Sequence, residues 1–322
     1  MYILGLGGSV HDFSACLLND GKILTVIEDE RITRVKHGIN LGLDLSKGFS
    51  RNYCLSANNI SMSDVDLVVS NDIINPCMLY KTNNVIKIGH HLSHAASSFF
   101  CSPYNEAAIV VVDAVGSHDD HGRYETISYY LGTKNKIELL EKKVGANLSG
   151  TDFVSNSIGM FYSLITELVG FSELQEGKTM GLAPYGTNSK YKELSSYIDI
   201  SNGEFLFDLE SIKTIINKIK EARSYGNNRD VMDMADYAWA AQKILEEALI
   251  DCCSYIKKFT KSENLCVAGG VFLNSVANYK IYKRKLFKNM FIQPAAGDNG
   301  TSIGAAMYGY YTILNNERRF SI

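Results

Sequence analysis

The chain has 322 residues, 46% of them hydrophobic, with 32 Lys and Arg against 35 Asp and Glu. That suffices for one large domain or two lobes with cores of their own, and a net charge of −3 excludes electrostatic capture of bulk nucleic acid. No run of about 20 apolar residues spans a membrane, no basic start marks a signal peptide, and seven scattered cysteines without a CxxC pair fit a reduced cytoplasmic protein better than a disulfide framework.

The elements follow in order. MYILGLG predicts a buried strand ending in glycines, and SVHDFS a loop. ACLLNDGKILTVIED predicts a β-hairpin turning at Asn19-Asp20-Gly21. RITRVKHG carries Arg31, Arg34, Lys36 and His37, residues 44–58 read as helix, and VDLVVSN as a short buried strand. VIKIGHHLSHAASSFF is a strand running into a helix. AAIVVVDAVGS is a second buried strand, ending at Asp113 and Gly116, and the aromatic, β-branched stretch after it returns as another. The chain thus repeats a unit of strand, Gly/Asp loop and strand.

The second half is more helical. Residues 155–169 have helical periodicity. FSELQEGKTMGLAPYG reads as loop, and 187–230 as polar and uninformative. VMDMADYAWAAQKILEEALIDCCSYIKKF predicts a long amphipathic helix. LCVAGGVFLNSVANYKI and MFIQPAAGDNGTSIGAAMYGYYTIL each read strand, Gly-rich loop, helix. Strands alternating with helices imply an α/β fold.

Four Gly-rich loops follow strands: Gly5–Gly8, Asp113–Gly116, Gly269–Gly270 and Gly297–Gly300. Backbone N–H groups in such loops bind anions, and four in this rhythm suggest a nucleotide cleft between two lobes. Neither a P-loop nor a GxGxxG motif is present, which disfavours an ordinary NTPase or a Rossmann dehydrogenase. His90 and His94 stand four residues apart, so one helix face presents both imidazoles to a divalent metal. The spacing is not the HExxH of a zinc protease. Asp298 is the best third ligand, and two His plus a carboxylate suit Fe(II) first, with Mn²⁺ or Zn²⁺ as alternatives.

VIKIGHHLSHAASSFF, EGKTMGLAPYG, LCVAGGVFLNSVAN and QPAAGDNGTSIGAA, together with the N-terminal ILGLGGSVHDFSACLLNDGKILTVIEDERITRVKHG, resemble the O-carbamoyltransferases of nodulation-factor and antibiotic biosynthesis. The resemblance covers nearly the whole chain. It implies the two-lobed actin/sugar-kinase/Hsp70-like fold of the family's N-terminal portion, which is similar to the tRNA threonylcarbamoyl-transfer protein. It also implies a chemistry. ATP and carbamoyl phosphate yield carbamoyl-adenylate, and the carbamoyl group passes to a hydroxyl while AMP leaves.

Carried over residue by residue, the resemblance places a metal on His90, His94 and Asp298, and adenosine near Gly269, Gly270 and Asn274 with Lys178 nearby. Gly116 and Gly297 belong to the loops expected around the nucleotide, and Asp113 is expected to hold water, substrate or the metal's surroundings there. A hydroxyl acceptor needs a base within hydrogen-bond reach. His11 is the candidate, Asp12 its orienter or a substrate contact, and Lys36 a stabiliser of developing charge.

The expected layout is a first lobe over 1–140 and a second over 141–322. The chain ends about 20 residues past the Gly297–Gly300 loop, whereas the family usually continues into an activation domain of roughly 200 residues. Either the sequence is a fragment of a longer protein, or a separate carbamoyl-adenylate-forming protein is an expected partner, or the chain does something else; a second copy of the chain is another expected partner. The acceptor is expected to be a small molecule or nucleoside. The loop after Asp113 also departs from the family, with Ala114 for the common glycine and a polar run of His118, Asp119, Asp120 and His121. Two other readings are a catalytically silent nucleotide-binding partner and a phosphotransferase of the same superfold.

Overall fold

The structure is a computed structural model describing residues 1–224 and 230–318. Strand β1 (Tyr2–Gly7) is followed by the hairpin β2 (Ser14–Asn19) and β3 (Lys22–Glu28). Asp20 and Gly21 at its tip take φ of +48° and +79°, as a two-residue type I′ turn requires. Helices α1 (Asp29–Thr33) and α2 (Phe49–Ser56) lead to β4 (Leu67–Asn71) and β5 (Val85–Ile88), and α3 (His90–Cys101) follows. The five strands form one sheet in the order β3-β2-β1-β4-β5. Its β1–β4 and β4–β5 pairs are parallel and the others antiparallel.

The same plan then recurs. Strands β6 (Glu106–Val112), β7 (Tyr124–Thr133) and β8 (Lys136–Gly145) form an antiparallel meander. Next come α4 (Ile158–Leu168), α5 (Glu176–Leu182), α6 (Tyr191–Ser195), the ribbon β9 (Asp199–Ser201) and β10 (Glu204–Leu206), α7 (Leu209–Ser224) and α8 (Val231–Thr260). Strand β11 (Asn264–Ala268), helix α9 (Ser275–Lys283), strand β12 (Asn289–Ile292) and helix α10 (Thr301–Tyr308) complete the chain. The second sheet runs β12-β11-β6-β7-β8, with β11 parallel to both β6 and β12. Order and strand sense repeat those of the first sheet, so the duplication read from the sequence is structural.

Both central strands are buried on two faces, and alternate residues feed different cores. In β6, Ala107, Ile109 and Val111 face a middle layer made by α3 and α10, while Ala108, Val110 and Val112 face α4, α7 and α8. In β1 and β2, Ile3, Cys16 and Leu18 face the same middle layer, and Leu4, Leu6, Ala15 and Leu17 face the α2 side. Helices α3 and α10 thus lie between the sheets. Their close crossing needs Gly304, where a Cβ would run into the Ser93 carbonyl. Gly5 of the first Gly-rich loop plays the same part against Ser302, as a packing surface for α10.

Three expectations need correction. The boundary at residue 140 falls within β8: the first sheet ends at Ile88 and the second begins at Glu106, and the lobes interleave through their helices, α3 packing on β6 and β11 and α10 on β1, β2 and β4. The stretch around Lys178 contains α5 where a loop was read, ended by Ala183 and Pro184. The polar 187–230 region forms α6, the ribbon and α7, apart from 225–229, which lie outside the described residues. No helix among the described residues is long and apolar enough to cross a membrane.

Candidate functional site

The candidate site residues cluster just past the carboxyl ends of strands, where open α/β sheets bind ligands. His11 and Asp12 follow β1, His90 and His94 open α3 after β5, and Asp113 follows β6. Gly269 and Gly270 follow β11, and Gly297 and Asp298 follow β12.

His90 and His94 lie one turn apart with their Nε2 atoms 3.2 Å from each other. Asp113 Oδ2 is 3.3 Å from His90 Nε2 and 3.1 Å from His94 Nε2, and Asp298 Oδ1 is 3.4 Å and 3.5 Å from the same atoms. All four residues are buried. The corners of a regular tetrahedron with such edges lie about 1.9–2.1 Å from its centre, which matches the roughly 2.0–2.2 Å of metal–nitrogen and metal–oxygen bonds. The residues therefore fit a divalent metal, with Asp113 standing beside the three residues expected from the sequence. Local structure holds the set. Asp113 Oδ1 accepts from the Ala114 and Gly270 N–H groups at 2.8 and 3.3 Å. Thr301 Oγ1 donates to the Asp298 carbonyl at 2.6 Å and accepts from Gly8 N and Asn71 Nδ2, each at 3.0 Å. Ser117 Oγ accepts from His90 N at 2.9 Å at the start of α3.

The charges support the same reading. Burial disfavours a charged His90, but Asp298 and Asp113 outweigh it and raise its pKa to about 10. His94 is raised too, against its own desolvation, by Asp113 and Asp298. Desolvation pushes both carboxyls up, yet the two imidazoles hold Asp113 and Asp298 below the ordinary carboxylate range. The imidazoles and carboxylates are thus complementary in charge, and a divalent cation bound by two neutral imidazoles and two carboxylates is also balanced. His91 differs: burial, helped by His90, pushes its pKa well below the ordinary value. It bonds Ser128 Oγ at 2.7 Å, and a Cβ at Gly116 would stand 2.7 Å from its ring. Gly116 is thus a packing glycine beneath His91.

A cavity of about 300 Å³ opens onto this cluster, lined by Asp113 and Asp298, with the two histidines fully buried behind them. His11, Asp12, Gly270, Asn274 and Gly297 also line it, and so do Tyr162, Glu176 and Met180, which the sequence did not single out. Gly269 lies behind the wall at φ +101°, where a Cβ would run into the Val112 carbonyl. Asn274 caps α9 through Ala277 N at 3.0 Å and exchanges hydrogen bonds with Gln242 at 2.8 and 3.1 Å, so its amide is already engaged. Lys178 is exposed and donates to Gln175 Oε1 at 2.8 Å. Lys36 is exposed and outside the lining, whereas the adjacent His37 lines the cavity. The polar run after Asp113 also stays outside, closed on itself by Asp119, which accepts from the His121 and Arg123 N–H groups at 2.9 Å.

At the other wall, His11 Nδ1 stands 3.0 Å from Asp12 Oδ2. Burial lowers the His11 pKa, but the Asp12 hydrogen bond, with Asp298 and Asp113 beyond it, raises it to about 9.

Comparison with known proteins fits this picture. A family model described as "Carbamoyltransferase N-terminus" matches residues 73–307. The uncharacterized protein sll1178 of Synechocystis is 31% identical over 98% of this chain and 58% of its own length. Nodulation protein NolNO of Sinorhizobium fredii is 25% identical over 96% of this chain and 47% of its own length. The chain thus spans about half the length of these relatives. The crystal structure of HypF from T. kodakarensis superposes with a TM-score of 0.58 at 14% identity, covering 98% of this chain and 48% of that one. With the duplicated sheets, that likeness shows an actin/sugar-kinase/Hsp70-like fold.

Proposed function

The chain belongs to the carbamoyltransferase N-terminus family, and from that membership we propose that it transfers a carbamoyl group from carbamoyl-adenylate to a hydroxyl of a small-molecule or nucleoside acceptor. Carbamoyl-adenylate is in turn made from ATP and carbamoyl phosphate, by a carbamoyl-adenylate-forming activity that we propose as a partner of this site. The observation that carries the proposal is the pairing of two imidazoles and two carboxylates at one wall of a cavity whose other wall holds His11 and Asp12.

The donor set suits Fe(II), with Mn²⁺ or Zn²⁺ as alternatives, and such a cation supplies Lewis acidity toward a carbonyl or phosphate oxygen. His90, His94, Asp113 and Asp298 would hold it. His11 Nε2 takes the proton of the acceptor hydroxyl as that oxygen attacks the carbamoyl carbon. The bond from that carbon to the phosphate oxygen breaks, and its electron pair leaves with AMP. Asp12 keeps the His11 proton on Nδ1, so the lone pair stays on Nε2. Asp298 and Asp113 contribute to the raised pKa of His11. Neutralising them therefore brings His11 closer to the range a general base needs. The apolar wall of Leu245, Val271 and Leu273, beside Gly270, Asn274 and Gly297, suits the nucleoside. Lys36 and Lys178 reach a phosphate only if their exposed side chains swing inward. Seven unpaired cysteines support a cytoplasmic setting.

The test supplies preformed carbamoyl-adenylate, each metal in turn, and a panel of sugars, aminocyclitols and nucleosides. The expected result is a carbamoylated acceptor with stoichiometric AMP. No product with any acceptor sinks the proposal. ADP formed from ATP and acceptor alone would identify a phosphotransferase, and nucleotide binding without turnover a silent partner.

A further inference from the structure

The second imidazole on Asp12 has no role so far. Building on the reading of His11 as the acceptor base, we propose that His37 is a positioning residue that holds the free oxygen of Asp12 and thereby fixes the tautomer and aim of His11. Asp12 is shared: Oδ2 faces His11 Nδ1 at 3.0 Å and Oδ1 faces His37 Nδ1 at 2.8 Å. An ionised carboxylate only accepts, so both rings carry their proton on Nδ1 and their lone pair on Nε2.

The two Nε2 atoms then differ in access. That of His37 is sealed from solvent and has no partner, whereas that of His11 is not sealed, in a residue that lines the cavity. One ring is placed to take a proton and the other to brace.

The bracing is built into two loops. Asp12 N donates to the His37 carbonyl at 2.7 Å, and His37 N donates to Glu30 Oε2 at 2.6 Å. Asp12 and His37 both hold left-handed backbones, at φ +55° and +56°. That conformation is unfavourable for a β-carbon-bearing residue, and it persists where the surroundings over-determine it. Without His37, Asp12 keeps a single side-chain partner and its carboxylate is free to rotate.

The test uses the full chain loaded with Zn²⁺ and labelled with ¹⁵N-histidine, at a pH where His11 is neutral. Wild type should show His11 as the Nδ1–H tautomer. His37→Ala should give a tautomer mixture, and His37→Asn, whose amide N–H₂ replaces the Nδ1 donor, should restore the single form. Transfer from carbamoyl-adenylate should lose about tenfold in kcat in His37→Ala, a fraction of the 10²–10⁴ a positioned base supplies, with KM unchanged and most of the loss recovered in His37→Asn. The His37 side chain is 25% exposed, so Zn²⁺ binding should match wild type and report an intact fold. A His11 tautomer in His37→Ala identical to wild type overturns the proposal, and so does His37→Asn performing no better than His37→Ala. Absence of transfer in wild type would count against the carbamoyl reading alone, because the tautomer readout needs no substrate.

Discussion

Replacing Asp113 by asparagine tests the fourth ligand. The substitution is nearly isosteric, and the asparagine carbonyl can keep the hydrogen bonds that Asp113 Oδ1 accepts from Ala114 N and Gly270 N. What changes is the atom 3.3 Å from His90 Nε2 and 3.1 Å from His94 Nε2, where an anionic oxygen becomes an amide N–H₂. Losing a group that merely orients a ligand costs about 10–100-fold in metal affinity. Losing the ligand should cost at least about 100-fold, or roughly 2.8 kcal/mol. A second signature follows from protons. His90 is raised to about 10, so metal must displace its proton, and wild-type affinity should climb with pH by about one decade per unit below that value. Without Asp113 that imidazolium loses a partner, and the slope should flatten. Competition against a chromophoric chelator between about pH 6 and pH 9 reads both quantities. Asparagine affinity within threefold of wild type, with the slope unchanged, would show that Asp113 is not a ligand.

Two further outcomes are expected. Thr301→Val should lower stability by about 1–3 kcal/mol in denaturant melts, because it leaves Gly8 N buried without its acceptor, while Asn71 Nδ2 keeps the Gly8 carbonyl; a smaller loss would mean that another group satisfies Gly8 N. Metal-free protein should lose melting temperature as pH rises. His90 and His11 are raised to about 10 and about 9, so their contribution is complete below about pH 6.5 and is lost as pH climbs through those values. Metal-loaded protein should lose the His90 part of this decline, and a flat metal-free profile from neutral to alkaline pH would contradict the charge pairing.

The repeated strand plan was legible because hydrophobic runs and turn residues are local signals. His90 and His94 were legible for the same reason, since a helix brings i and i+4 together. Asp113 is not legible as a ligand from the sequence, because an Asp at a strand end reads equally as turn former, water holder or substrate contact. What decides is its approach to Asp298 and the histidines through parallel strands far apart in sequence. Lys36 and His37 show a finer limit. The left-handed φ of +56° at His37 redirects the chain, so His37 lines the cavity while Lys36 is exposed. Asn274 read as a nucleotide contact because its partner Gln242 lies 32 positions away on α8. Helix α5 was missed because Gly177 and Gly181 weaken its intrinsic propensity, and packing against α4 and α8 decides its form.

The interleaved chain path makes the four-residue cluster a knot in connectivity. Its members come from positions 90, 94, 113 and 298, and the last lies just ahead of α10, the helix that packs back between the sheets. A cation bound there cross-links the chain around a loop of roughly two hundred residues, for which polymer entropy allows a stabilisation of about 5 kcal/mol if the bond held like a covalent one. Metal uptake is then also a sign that α10 has docked. Before it docks, the histidines are in place and nothing closes the ring.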